Sequence, residues 1–251
     1  MLKDEQLLRY SRQIMLPEVD ISGQETWLNA SVLIIGVGGL GSPVAMYLAA
    51  AGVGKLVLVD DDRVELTNLQ RQVVHTTASI GQSKVESAKA SLQALNPDTE
   101  IVTIDRRLSD EELAEQVSEV DLVLDCTDNF STRFAINEAC VKYRKPLVSG
   151  AAIRLEGQVA VFDSRDDESP CYRCLYREGS DENLTCSESG VLAPLVGIIG
   201  SVQAMEALKV LASVGTPLVG KLLLLDGRYM EWRSLKLRRD PECPCCKQTK
   251  K

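Results

Sequence analysis

Short apolar runs alternate with amphipathic stretches over the first 150 residues of this chain, and the alternation predicts its architecture. Runs at 32–35, 55–60, 100–104, 121–126 and 146–149 have the length and composition of buried strands. Between them, residues 42–51, 81–95, 110–119 and 130–143 carry helical periodicity, and the second of these helices stops at Asn96-Pro97. Strands that alternate with helices pair in parallel, so the pattern predicts an α/β, doubly wound, Rossmann-like sheet. Residues 4–29 read as a helical arm broken near Pro17. After Gly150 the rhythm changes. A strand at 157–162 reads as antiparallel, residues 163–190 are polar and carry cysteines, and a long helix covers 194–213. Strands at 221–225 and 229–237 then lead to a cysteine-rich tail. No repeat or low-complexity linker divides the chain, so one continuous domain is expected: an arm (1–30), a nucleotide-binding part (31–150) and a later part (151–251).

The first strand runs into Gly36-Val-Gly-Gly-Leu-Gly41 and then into a helix. A strand, a tight glycine turn and a helix N-terminus together cradle phosphate groups, which makes Gly36, Gly38, Gly39 and Gly41 candidate nucleotide contacts. Asp60 follows Gly41 by nineteen residues, the spacing of a carboxylate on a ribose hydroxyl, with Asp62 beside it. Asn68, Leu69, Gln70, Arg71 and Gln72 come next, then Lys84, and later Asp128 and Asn129 at the end of another strand. Each has a plain alternative. Asp60 to Asp62 could be a solvated strand end, 68–72 a polar loop, Lys84 a surface lysine and Asp128 a helix cap. Placement favours the functional reading, because ligands of doubly wound sheets bind outside the carboxyl ends of the strands. A redox dinucleotide needs little positive charge beyond its pyrophosphate, whereas a triphosphate needs more, and Arg71 and Lys84 supply it.

Composition narrows the partners. Aromatics are 4% of the chain, too few for a base-stacking platform, and the net charge of −8 disfavours phosphate-backbone binding, so no nucleic-acid partner is expected. The apolar stretch 191–212 is long enough to span a bilayer, but Pro194, Gln203, Glu206 and Lys209 interrupt it. A buried core helix is the expectation, with no membrane partner. The polar N-terminus shows no signal peptide, and the expected location is cytoplasmic.

Eight cysteines without a secretion signal point to metal or thiol chemistry rather than a disulfide scaffold. Cys171-Tyr-Arg-Cys174 and Cys243-Pro-Cys-Cys246 form two C-x-x-C knuckles, which suit a closed, tetrahedral, four-thiolate Zn²⁺ site. Cys245 leaves the register open. Cys186 lies outside both knuckles in a polar stretch and is a candidate nucleophile, the alternative being an idle surface thiol. Cys126 and Cys140 read as packed core, and the single histidine, His75, reads as structural. With one histidine and no evident general base, the chemistry should need none. A carboxylate nucleophile fits, being ionised at neutral pH with a reference pKa near ~3.5. Its attack on an α-phosphate gives an acyl-adenylate and pyrophosphate, with catalysis by alignment and by cations such as Arg71, Lys84 and Mg²⁺.

RYSRQI, GVGGLGSP, VDDD, NLQRQ, IGQSKVESA, LVLDCTDN, EGQV, CYRCL, LTC, GVLAPLVGIIGSVQAMEALK and the final C-x-x-C occur in an order that resembles the bacterial E1-like adenylyltransferases. That family includes the molybdopterin-synthase and the thiamine-pathway sulfur-carrier adenylyltransferases. The resemblance covers essentially the whole chain. It implies ATP-dependent adenylation of the C-terminal Gly-Gly carboxylate of a ubiquitin-like sulfur carrier protein, with the molybdopterin-synthase small subunit favoured. SGAAIRLEGQV, CYRCLYR and NLTC are closer to that branch, and WRSLKLRR is closer to the thiamine branch. The resemblance implies that Gly39 and Asp60 bind the nucleotide, that Asn68, Arg71 and Lys84 meet the phosphates, and that Asp128 holds Mg²⁺. It implies that Arg12 reaches the ATP site of the neighbouring subunit in a homodimer, which becomes a heterotetramer with two carriers. Cys171, Cys174, Cys243 and Cys246 match its zinc ligands, and Cys186 matches a cysteine that links to the carrier through sulfur in some members. No rhodanese-like segment follows, so a separate sulfur donor is implied. The rival readings are an NAD-dependent oxidoreductase, a non-catalytic zinc-stapled scaffold and a relative acting on a modified tRNA base.

Overall fold

A computed structural model describes residues 2–177 and 189–247. The arm forms α1 (Asp4–Arg9), α2 (Ser11–Ile14) and α3 (Asp20–Asn29), with the expected interruption around Pro17. The alternating part gives β1 (Ser31–Ile35), α4 (Gly41–Ala51), β2 (Lys55–Val59), α5 (Lys84–Leu95), β3 (Glu100–Ile104), α6 (Asp110–Ser118), β4 (Leu122–Asp125) and α7 (Phe130–Tyr143). Then come β5 (Pro146–Ile153), β6 (Glu156–Asp163), the short α8 (Tyr172–Leu175), α9 (Ala193–Ala212), β7 (Lys221–Asp226) and β8 (Glu231–Lys236). All eight strands lie in one sheet of order β3-β2-β1-β4-β5-β6-β7-β8. Pairing is parallel from β3 to β5 and antiparallel from β5 to β8.

The strand period of two divides the core into two layers. Val32, Ile34, Leu56, Leu58, Leu122 and Leu124 face one side, where α4, α5 and α9 cover them with Leu48, Leu92 and Ile199. Leu33, Ile35, Val57, Val59 and Val123 face the other, against Leu113 and Val117 of α6 and Phe134 and Ile136 of α7. Both faces of β1, β2 and β4 are thus buried, which explains their unbroken apolar runs, whereas the edge strand β3 buries only Ile101. Each such side chain contributes about 1.5–3 kcal/mol.

The apolar stretch is the core helix α9, long and apolar enough by composition to cross a membrane. Its polar residues have internal partners. Gln203 donates through Nε2 to the Asp125 carbonyl at 2.9 Å, and Glu206 accepts from Lys209 Nζ at 2.6 Å and from the Leu218 amide at 2.7 Å. Gln203 also explains Gly150, because a β-carbon there would lie 2.2 Å from its Oε1. β5 therefore does not stop near Gly150, where the small residues suggested an end. It continues to Ile153 and pairs with β6 through Ile153 and Glu156.

Candidate nucleotide site

β2 and β4 flank β1 on opposite sides, so the crossovers leaving β1 and β4 diverge and open a crevice at their carboxyl ends. The loop after β1 enters it. Gly36 has φ +90°, and a β-carbon there would lie 2.7 Å from the Cys126 carbonyl at the end of β4. Only glycine permits both the left-handed turn and the close approach. Gly38, Gly39, Asp60, Asp62, Arg71, Lys84, Asp128 and Asn129 all line one cleft of ≈ 990 Å³. This volume is at the upper end for small-molecule sites, with room for more than a nucleoside.

Asp60 is the best-anchored of these groups. Its Oδ2 accepts the Val37 amide at 2.7 Å and its Oδ1 accepts the Asp62 amide at 2.9 Å, which ties the end of β2 to the glycine loop. Burial pushes its carboxyl above the ordinary range, and Lys84, with Nζ 4.0 Å away, partly offsets this. Lys84 is itself buried and donates to Asp62 Oδ2 at 2.7 Å. His75 supports the same loop from behind, between the Val37 carbonyl (3.1 Å) and the Ser87 hydroxyl (3.0 Å). Burial lowers its pKa, and the neutral ring is a structural prop, as expected.

Asp128 sits in the loop after β4. Helix capping there falls to its neighbour: Asn129 accepts the Thr132 amide at 2.9 Å as the N-cap of α7. Asp128 is exposed to the cleft and makes no hydrogen bond or ion pair to the described residues. Beneath it, buried Asp125 accepts from Ser149 Oγ and Thr127 Oγ1, both at 2.7 Å. Arg133 donates to the Thr127 carbonyl at 2.6 Å. Burial works against the Arg133 charge, but Asp125, 3.7 Å away, keeps its pKa raised.

Several expected positions stand outside the cleft lining. Gly41 begins α4, and a β-carbon there would lie 2.0 Å from the Gly36 carbonyl, so it is needed for helix–strand packing. Asn68 accepts the Glu65 amide at 3.1 Å and closes a single 3-10 turn, with Leu69 and Gln70 just after it. Arg12 is exposed on α2 and does not reach this chain's own cleft. Cys186 lies outside the described residues. Conversely, Arg106 and Arg107, Arg133 and Arg233 line the cleft unannounced. For the first pair a signal existed: both directly follow β3, at the same carboxyl edge.

Cys171, Cys174, Cys243 and Cys246 place their sulfurs within 4.8 Å of one another, with Cys171–Cys243 at 3.6 Å and Cys174–Cys246 at 3.5 Å. This settles the register. Cys245 stays outside the four, where it accepts from Asn137 Nδ2 at 3.3 Å. Asn137 also accepts the Tyr172 amide at 2.8 Å and so fixes α7 against the first knuckle. Four thiols at this spacing suit a tetrahedral Zn²⁺ of the closed kind. None of the four lines the cleft. Cys126 and Cys140 are buried in the core.

A mixed sheet with a glycine turn, an anchored carboxylate and cationic side chains at one carboxyl edge defines a nucleotide-binding α/β protein. Within that class, the profile of the ThiF family matches residues 10–245, and the chain belongs to that family. It is 51% identical over 247 residues to the molybdopterin-synthase adenylyltransferase of Escherichia coli K12, covering 98% of this chain and 99% of that protein. It is 46% identical over 245 residues to the sulfur carrier protein ThiS adenylyltransferase of the same organism, covering 98% and 97%. Among solved structures, E. coli MccB with ATP superposes with a TM-score of 0.82 at 25% identity, covering 95% of this chain and 73% of the other.

Proposed function

We propose that this protein uses ATP to adenylate the C-terminal Gly-Gly carboxylate of a ubiquitin-like sulfur carrier, with the small subunit of molybdopterin synthase as the favoured substrate. One observation carries the reading: a single cleft holds the glycine loop, Asp60, Arg71, Lys84 and Asp128, and continues past them over Ala151, Gly157 and Val191. The first part suits a nucleoside triphosphate. The second combines small and apolar residues with charged ones at its rim, Glu156, Asp226, Glu231 and Arg233, and suits an extended glycine tail. The 51% identity to a molybdopterin-synthase adenylyltransferase over nearly the full length supports the same substrate class.

The chemistry follows from position and charge. A carboxylate oxygen of the tail forms a bond to the α-phosphorus while the bond to the bridging oxygen of pyrophosphate breaks. No proton is removed, so no general base is needed, in keeping with a lone histidine held behind the loop. Arg71 and Lys84 neutralise the phosphates, and Lys84 exchanges its partner Asp62 for phosphate oxygens. Asp60 accepts from the ribose hydroxyls. Asp128 offers a carboxylate without a partner among the described residues, which fits a hard cation, and would hold Mg²⁺. That ion would supply positive charge beside the phosphates. The four knuckle cysteines would hold Zn²⁺, which would supply a staple between residues 171–174 and 243–246.

Incubation with ATP and each of the two purified carriers tests the proposal. The expected product is the molybdopterin-synthase small subunit heavier by one adenylate, detected by intact mass. Adduct on the thiamine-pathway carrier alone would reassign the substrate, and adduct on neither would refute the reading. The NAD-dependent alternative leaves Arg71, Lys84 and Asp128 without a task.

Arg12 acts across a homodimer in this proposal. Apolar Met15, Leu16, Tyr47 and Met205 are exposed on the arm and on α4 and α9, which is surface suited to a second copy. Arg12→Ala and Asp128→Ala are each expected to be inactive alone. Mixed and re-equilibrated, they should recover about a quarter of parental turnover, because half the dimers then carry one intact site. No recovery would place Arg12 in its own chain's chemistry or outside it.

A further inference from the structure

Gln72 closes the run 68–72 that follows the ribose position in the sequence. In the structure it is 4% exposed, yet it lines the cleft beside Arg71 and Lys84. Its backbone is fully engaged: the amide donates to the Asn68 carbonyl at 3.0 Å and the carbonyl accepts from the His75 amide at 3.1 Å. Its side chain is not. Oε1 is buried without a hydrogen-bond partner, while Nε2 is accessible and makes no hydrogen bond to the described residues. The amide lies over the glycine loop, where a β-carbon on Gly38 would be 3.5 Å from Nε2. A primary amide offers two donors and an acceptor, and leaving it unpaired in a folded interior is costly. Such an orphan calls for an explanation.

We infer that Gln72 is a ligand of the nucleotide's phosphate chain, its Nε2 held unpaired beside Gly38 until phosphate oxygens fill the cleft. This rests on the ATP reading above and adds a neutral donor to the cations Arg71 and Lys84. Phosphate oxygens only accept, so the contact falls to the NH₂ group, Nε2, which already lies beside the glycine loop. The backbone bonds from Asn68 and to His75 then set the amide's position relative to the loop. A structural role and a ligand role predict opposite signs for stability. An amide that served the fold would be missed on removal, whereas an orphan would not.

The test is the variant Gln72→Met, which keeps length and volume, studied in the full-length protein with MgATP as the probe. Its dissociation constant for MgATP, by calorimetry, is expected to rise about tenfold, while the thermal midpoint without nucleotide stays level or rises by about 2 °C. Unchanged ATP affinity would overturn the inference, and so would a clear fall in the nucleotide-free midpoint. Gln72→Glu gives a second reading, because a carboxylate of the same reach repels phosphate but would accept from a ribose hydroxyl. Weaker binding than Gln72→Met is expected; binding as tight as the parent would exclude a phosphate contact. Failure of the parental protein to bind MgATP is a separate outcome, since it refutes the adenylation reading itself along with this one.

Discussion

Asp128→Ala loses ATP–pyrophosphate exchange in the presence of carrier, with turnover falling by about a thousandfold. The nucleotide-free thermal midpoint should stay within about 2 °C of the parent, because the side chain is exposed and makes no contact whose loss would matter to the fold. The effect on rate is large because charge spreads onto the phosphates as the carboxylate attacks, and Asp128 lines the cleft without an ion pair to the described residues, so its carboxylate can organise a cation there. Near-normal exchange by Asp128→Ala would remove the residue from the mechanism. Lys84→Ala would be a poorer probe of chemistry. It leaves the buried Asp60 carboxylate without its nearby cation, so folding and catalysis would fail together.

Removal of the metal should be the largest perturbation of stability. One equivalent of zinc per chain is expected by elemental analysis, lost in Cys174→Ser and retained in Cys245→Ser. The distinction is geometric: Cys174 belongs to the set of sulfurs within 4.8 Å, and Cys245 does not. The staple joins segments that are 72 residues apart in the chain, and without it contacts such as Asn137 Nδ2 to Cys245 Sγ would have to hold residues 243–246 to the fold. Cys174→Ser should cost more than about 4 kcal/mol, the range reached when a structural metal is lost. The parallel strands are packed on both sides by α4, α5, α6 and α7, outside the knuckles, and should retain their far-ultraviolet dichroism. Full zinc content in Cys174→Ser would refute the four-ligand assignment.

The two halves of the molecule differ in how far their letters reveal them. The parallel half was readable because β1, β2, β4 and β5 are largely buried on both faces and appear as apolar runs, and because Asn96-Pro97 marks the end of a crossover helix. The ends of β5 and β8 were harder. Gly150-Ala151-Ala152 has little strand propensity, yet it is strand because β6 pairs with it and Gln203 leaves no room for a side chain. β8 has no buried residue, so no alternation of burial marks its bounds.

What the sequence determined by itself was everything that depends on neighbours along the chain: the elements, the left-handed turn at Gly36 and the two cysteine pairs. The convergence of the glycine-loop and strand-end residues on one cleft also followed, because the carboxyl-edge rule needs only the order of elements. Tertiary structure alone decided which side chains meet. It freed Asp128 by giving the cap to Asn129, paired Lys84 with Asp62, turned Arg106 and Arg133 into the cleft, and buried Gln72 without a partner. The reason is physical: periodicity encodes which face of an element is covered, whereas the partner of a polar group depends on segments tens of residues away and on the space between them.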